Sequence, residues 1–135
     1  LLEFEKHLGI EQFIEHRHAS YDEMPKIYHL ADIFLAPSKA TDTWQEQYNT
    51  ALLEAQASGL PIVTTASGGI VENVGDAAVV IQSADVVSLA QALKKLILSP
   101  KMRAEYSRRA RKRALDVHDA RIGANKLAQL YDSLL

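Results

Sequence analysis

The sequence predicts an α/β domain built on a parallel sheet with helices on both faces. Three observations carry that reading. Short apolar or β-branched runs, at residues 32–37, 62–65 and 77–81, alternate with segments whose apolar residues recur at helical spacing. The runs lack the in-out alternation of half-exposed strands, so each suits a strand buried on both faces. Glycine, proline and cap residues fall where the chain must change direction.

Taken in order, residues 1–8 read as the end of a helix, stopped by Gly9. Residues 11–18 read as a short strand with Phe13 and Ile14 as its apolar part. Ser20 stands three residues before Glu23, the spacing of a capping box. The helix that follows carries Met24, Ile27, Tyr28 and Ala31 on one side. Residues 38–45 form a polar loop with the only tryptophan, Trp44, which could pack or could stack on a ligand.

A third helix starts near Thr50, with Tyr48, Ala51, Leu52 and Ala55 as its stripe. Gly59 ends it and Pro61 opens the next strand. Ser67-Gly68-Gly69 is a tight turn into a short helix over 70–74. Asp85 can cap a helix whose buried face is Val86, Leu89, Leu93, Leu96 and Ile97. Ser99 and Pro100 supply the cap and first position of another. Asp119 starts the last, which carries Ile122, Leu127, Leu130 and Leu134. The chain opens on a helix with no strand before it. Residues 1–135 are therefore expected to form a single domain that lacks at least one βαβ unit. The open sheet edge would then need cover, for example from a second copy of the chain.

A length of 135 residues suffices for one domain with a core, and 47% hydrophobic residues argues against disorder. No apolar run reaches the ~20 residues that span a bilayer. There is no cysteine, which excludes disulfides and cysteine-ligated zinc. That, with no signal-peptide pattern at Leu1 to Lys6, leads us to expect a cytoplasmic protein. Charge is uneven: residues 1–100 carry 6 Lys+Arg against 13 Asp+Glu, residues 101–135 carry 9 against 4. The basic excess, led by Arg103, Arg108, Arg109, Arg111, Lys112 and Arg113, reads as the solvated face of one helix. A patch for anionic lipid headgroups, and so peripheral membrane contact, stays open. Only one aromatic residue, Tyr106, falls among the arginines, too few for a single-strand binder, so nucleic acid is not expected. His16 and His18 would share a strand face, but no third ligand is apparent and no metal is expected.

The candidate site lies at the helix that starts near Thr50. Glu46 and Glu54 have seven residues between them, one in the loop before the helix and one inside it. A helix rises ~1.5 Å per residue, so the carboxylates could lie roughly 10 Å apart at two depths of one pocket edge. The amides between them, at the positive end of the helix dipole, suit a phosphate. Ligands of parallel α/β sheets sit at the carboxyl ends of the strands. The loops there are residues 38–47 and 66–69, which hold Glu46 and the glycine pair. Gly68 and Gly69 could bring amides to a ligand or could only start a helix.

Five segments, in order, resemble the family-4 glycosyltransferases of the GT-B class. They are the start Leu8-Gly9-Ile10 to Ile14, the strand within residues 28–38, the pair Glu46 and Glu54, Leu52-Leu53-Glu54-Ala55 with residues 57–63, and Gly68-Gly69-Ile70-Val71-Glu72 with the turn after it. The resemblance implies a Rossmann-like, nucleotide-sugar donor-binding domain, the C-terminal half of a retaining glycosyltransferase. It implies that Glu46 bonds the donor sugar as the catalytic residue and that Glu54 bonds the ribose. Amides of Tyr48, Asn49, Thr50 and Ala51 would face the sugar and pyrophosphate, with Gly68 and Gly69 nearby. It implies no bound metal and no cofactor beyond the donor. The family's N-terminal acceptor domain and its basic phosphate clamp would both precede Leu1, so the 135 residues alone are not expected to turn over. Gln47 and Asn49 stand where the family usually has glycine. They favour the alternative, a non-catalytic nucleotide-binding or interaction module with the same fold.

Overall fold

A computed structural model describes residues 2–134. Three strands, β1 (Phe34–Ala36), β2 (Ile62–Ala66) and β3 (Ala78–Gln82), form one parallel sheet in the order β1-β2-β3. Phe34 pairs with Ile62, and Ile62 in turn with Ala78. The helices among the described residues are α1 (Leu2–Leu8), α2 (Met24–His29), α3 (Thr50–Ala57), α4 (Ile70–Val74), α5 (Val86–Leu98), α6 (Pro100–Val117) and α7 (Ala120–Leu134). Leu1, the expected first residue of the opening helix, lies outside the described residues.

The sheet has a core on each side, as the apolar runs require. Ile62, Phe34, Ala36, Ala78 and Val80 point to one face and pack with Tyr28, Leu52, Ala55, Ile70 and Val74 of α2, α3 and α4. Val63, Val79 and Ile81 point to the other and pack with α5 and α6 through Leu89, Ala92, Leu93, Leu96, Met102 and Tyr106. β2 is buried through its first four residues, the mark of a central strand. The expected caps form. Asp85 accepts the Ser88 amide at 2.9 Å, and Ser99 Oγ accepts the Met102 amide at 3.2 Å with Pro100 behind it. The Ser20 and Glu23 box closes on itself, but over a 3-10 turn, Tyr21–Glu23, that leads into α2.

Several expectations are corrected. Residues 11–18 are not a strand. They form a 3-10 turn, Glu11–Phe13, followed by backbone that is extended at Ile14 but unpaired. A strand needs a neighbour to take its amides and carbonyls, and no strand of the described residues lies beside this one. The His16 and His18 face therefore does not exist, and His16 Nε2 bonds Glu5 Oε2 at 2.9 Å instead. On α5 the buried stripe is Leu89, Ala92, Leu93 and Leu96, while Val86 and Ile97 are exposed. Tyr48 is half exposed and precedes α3, whose third buried residue is Gln56. On α7, Leu127, Leu130 and Leu134 stay exposed among the described residues.

Candidate functional site

The loop that carries Glu46 leaves β1 at the carboxyl edge of the sheet. Side chains of β2 tie it down. Thr64 Oγ1 donates to the Ala36 carbonyl at 2.8 Å, and Thr65 Oγ1 donates to the Ser38 carbonyl at 2.5 Å. The Ala40 amide donates to Ser83 Oγ at 3.2 Å, and Thr41 and Trp44 exchange backbone bonds across a tight turn. Trp44 remains half exposed, so it plugs no core.

Glu46 is held by its backbone and by its carboxylate. Its amide donates to Ser67 Oγ at 3.5 Å, and its carbonyl accepts the Gly69 amide at 3.0 Å. Its Oε2 accepts from Asn49 Nδ2 at 3.2 Å and from Ser38 Oγ at 3.5 Å. The carboxylate thus sits among neutral donors, half buried, at the edge where α/β ligands bind.

Asn49 takes φ 53°, the left-handed region, and caps α3 by accepting the Leu52 amide at 3.3 Å. Glycine visits that region freely, and asparagine tolerates it better than most residues because its short side chain bonds locally. That is why asparagine can stand at a glycine position without loss of the turn. Tyr48, Asn49, Thr50 and Ala51 run continuously through this turn into the first turn of α3, whose leading amides have no acceptor within the helix.

Asn73 of α4 supports the turn from beneath. It is buried, donates from Nδ2 to the Tyr48 carbonyl at 2.5 Å and accepts from Gln56 Nε2 at 2.8 Å. Its own carbonyl accepts Arg113 Nε at 2.6 Å and His118 Nε2 at 2.9 Å. With Nε2 donating, His118 Nδ1 is the acceptor for the Tyr48 hydroxyl at 3.3 Å.

Glu54 lies on another side of α3. Its Oε2 accepts the Tyr28 hydroxyl at 2.7 Å, and it lines a cavity of about 290 Å³ with Tyr21, Met24, Pro25 and Ser58. Glu46 does not line that cavity. The spacing predicts one cleft edged by both acids, and the described residues place them in two settings instead. Helix periodicity does not relate the two acids, because Glu46 precedes α3 while Glu54 lies inside it. The glycine pair is also more committed than a ligand loop requires. A Cβ on Gly68 would overlap the Glu46 carbonyl, one on Gly69 would overlap the Gln47 carbonyl, and the Gly69 amide is already spent on Glu46.

Composition gave no hint of what the basic helix does. Arg103 donates to the Leu96 and Ile97 carbonyls that end α5, at 2.8 and 2.7 Å. Arg111 donates to the Ala57 carbonyl that ends α3. Arg113 donates to the Glu72 and Asn73 carbonyls of α4, at 2.5 and 2.6 Å. Cations there meet the negative ends of three helix dipoles. Tyr28, Asn73 and Gln56 were missed as site residues because each reads as an ordinary helix position.

Parallel strands with helices on both faces define a doubly wound, Rossmann-like α/β domain. The chain belongs to the group 1 glycosyl transferases, whose family pattern matches residues 2–113. It is 34% identical over 95 residues to D-inositol 3-phosphate glycosyltransferase of Salinispora arenicola, and 32% identical over 116 residues to glycogen synthase of Mycobacterium tuberculosis. Those stretches cover 69% and 84% of this chain but only 20% and 27% of the relatives' lengths. Among solved structures, HepE of Anabaena in complex with UDP superposes with a TM-score of 0.86 over 98% of this chain and 35% of its own, at 20% identity. WaaG, described as a glycosyltransferase of lipopolysaccharide biosynthesis, superposes with a TM-score of 0.71 over 85% of this chain and 31% of its own, at 27% identity. The fold is that of the GT-B glycosyltransferases.

Proposed function

We propose that the chain is the donor-binding part of a retaining glycosyltransferase that moves a sugar from a nucleoside diphosphate to an acceptor hydroxyl. One observation carries this reading. The turn from Glu46 to Ala51 is pinned by Gly69, Asn73 and Ser38, with an acid at its start and helix amides at its end. In that reaction the bond from the anomeric carbon to the diphosphate oxygen breaks, a bond to the acceptor oxygen forms on the same face, and the acceptor hydroxyl's proton passes to the departing diphosphate. Glu46 would hold the sugar hydroxyls, and the amides of Tyr48 to Ala51 would meet the charge that develops on the leaving diphosphate, a preorganised electrostatic role. Glu54 would accept from the ribose. Gly68 would shape the turn, and Gly69 would act through its bond to Glu46. We further propose that no metal or cofactor takes part, that the enzyme works in the cytoplasm, and that residues 1–135 alone do not turn over.

The test is a thermal-shift screen of UDP-, GDP- and ADP-sugars against the longest natural chain that contains these residues, followed by turnover. A true donor stabilises the fold by RT ln(1 + [L]/Kd). Glu46→Gln is expected to cut kcat by roughly a hundredfold or more, with the nucleoside diphosphate still bound. NMR of the product should show the donor's anomeric configuration. Donor binding with no transfer by the longest chain would favour the non-catalytic module, the reading that Gln47 supports.

A further inference from the structure

We propose that Tyr28 is a positioning residue for donor binding: its hydroxyl fixes the Glu54 carboxylate in the orientation that receives the ribose. This rests on the reading of Glu54 given above.

A glutamate has three side-chain torsions, and a mobile one loses freedom when it must meet a ligand. Glu54 is steadied from a neighbouring helix. The Tyr28 hydroxyl donates to its Oε2 at 2.7 Å, a well-formed O–H···O bond. Tyr28 is itself fixed. It is 6% exposed, and its ring packs at a tilt on Phe34, with centroids 5.8 Å apart. The acid is thereby tied through one phenol to strand β1, the strand from which the Glu46 loop departs. The bond engages Oε2 only, so the second oxygen is available to a ligand in the cavity that Glu54 lines with Tyr21 and Met24. Burial, and then Glu54 itself, push the Tyr28 pKa up, so the phenol stays a donor beyond its ordinary pKa of 10.

A structural account is the competitor: Tyr28 is buried, and Glu54 merely satisfies its hydroxyl. The two accounts differ in what they say about the ribose. The experiment uses Tyr28→Phe and Glu54→Gln in the longest natural chain that contains these residues, with a nucleoside diphosphate and its 3′-deoxyribose analogue as probes. Phenylalanine keeps the ring and its packing, and the melting temperature reports any loss of fold. In the parent the ribose form should bind about tenfold more tightly than the deoxy form. Tyr28→Phe should shrink that preference to about twofold and raise the donor KM, with kcat held within about twofold. The double variant should be no worse than Glu54→Gln. If Glu54→Gln abolishes the preference while Tyr28→Phe keeps it, the inference falls and the Glu54 reading stands. If Glu54→Gln leaves the preference intact, the Glu54 reading falls and the inference falls with it.

Discussion

Gly68 lies against the main-chain carbonyl of Glu46, so closely that a methyl group on Gly68 would overlap that oxygen. Its neighbour Gly69 stands in the same relation to the Gln47 carbonyl and donates its amide to Glu46 at 3.0 Å. The glycine pair is a seat for the acid-bearing turn. Its lack of side chains lets one loop rest on the backbone of another, and this fixes where the Glu46 carboxylate emerges at the sheet edge.

Gly68→Ala meets two penalties, a φ of +51° and the overlap with backbone. Left-handed backbone costs an alanine roughly 1–2 kcal/mol, and forced repacking adds a similar amount. Urea unfolding should show a loss of at least about 2 kcal/mol. Gly123→Ala is the control, because among the described residues nothing lies within 4 Å of a Cβ there. It sits inside α7, where alanine outranks glycine, and should gain about 0.5–1 kcal/mol. Equal effects at the two glycines would show that Gly68 does not seat the turn.

Asn73→Ala strips the Tyr48 carbonyl and the Gln56 side chain of their partner at once. Each group left without one costs about 1–3 kcal/mol. Gln56 is the sharper case, since its Oε1 is already buried without a partner among the described residues. Loss of stability should come with weaker nucleoside diphosphate binding, read by calorimetry, because the Tyr48 to Ala51 turn loses its floor. A variant that unfolds earlier yet binds with parent affinity would separate Asn73 from the site.

How far the sequence reveals this arrangement depends on the range of each interaction. Runs 62–65 and 77–81 mark β2 and β3 because a strand buried on both faces shows apolar or β-branched residues without in-out alternation. Asp85 and Ser99 mark helix starts because their partners lie three residues away. Residues 11–18 mislead because Phe13 and Ile14 satisfy a strand pattern while pairing depends on what lies alongside. The pairing of Asn73 with Tyr48 spans 25 positions, and that of Arg113 with the end of α4 spans 40, so no local pattern announces either. Gly68 and Gly69 are legible as a turn, but the carbonyls they rest on belong to a loop more than twenty residues upstream.

The arginines of α6 can be ranked by what they touch. Arg113 caps two carbonyls of α4 and packs over Gly75. Hydrogen bonds from a charged donor contribute about 1.5–3 kcal/mol, so Arg113→Ala should lower stability by that order. Arg108 borders a groove with Ser58 and Ser107 and is exposed. Arg108→Ala should change stability by less than about 0.5 kcal/mol. Chemical denaturation of both variants gives the ranking directly. The reverse order would mean that α6 does not act as a clasp on the helix ends.

Alkaline pH offers a check on Tyr28 that needs no ligand. Burial first, and the neighbouring Glu54 second, raise its pKa above the ordinary value of 10. Above pH 10 the unfolded chain releases this proton and the folded chain keeps it, so folding then binds a proton and becomes less favourable as pH rises. The stabilisation from this group is therefore complete below pH 10 and declines above it. Tyr28→Phe removes the group, so the fall in stability above pH 10 should be shallower in the variant than in the parent. Tyrosinate absorbance at 295 nm should, in the same range, show one ionisation that is late in the parent and missing from Tyr28→Phe. Parallel stability curves for the two proteins would mean that the phenol is neither buried nor held by Glu54 in solution.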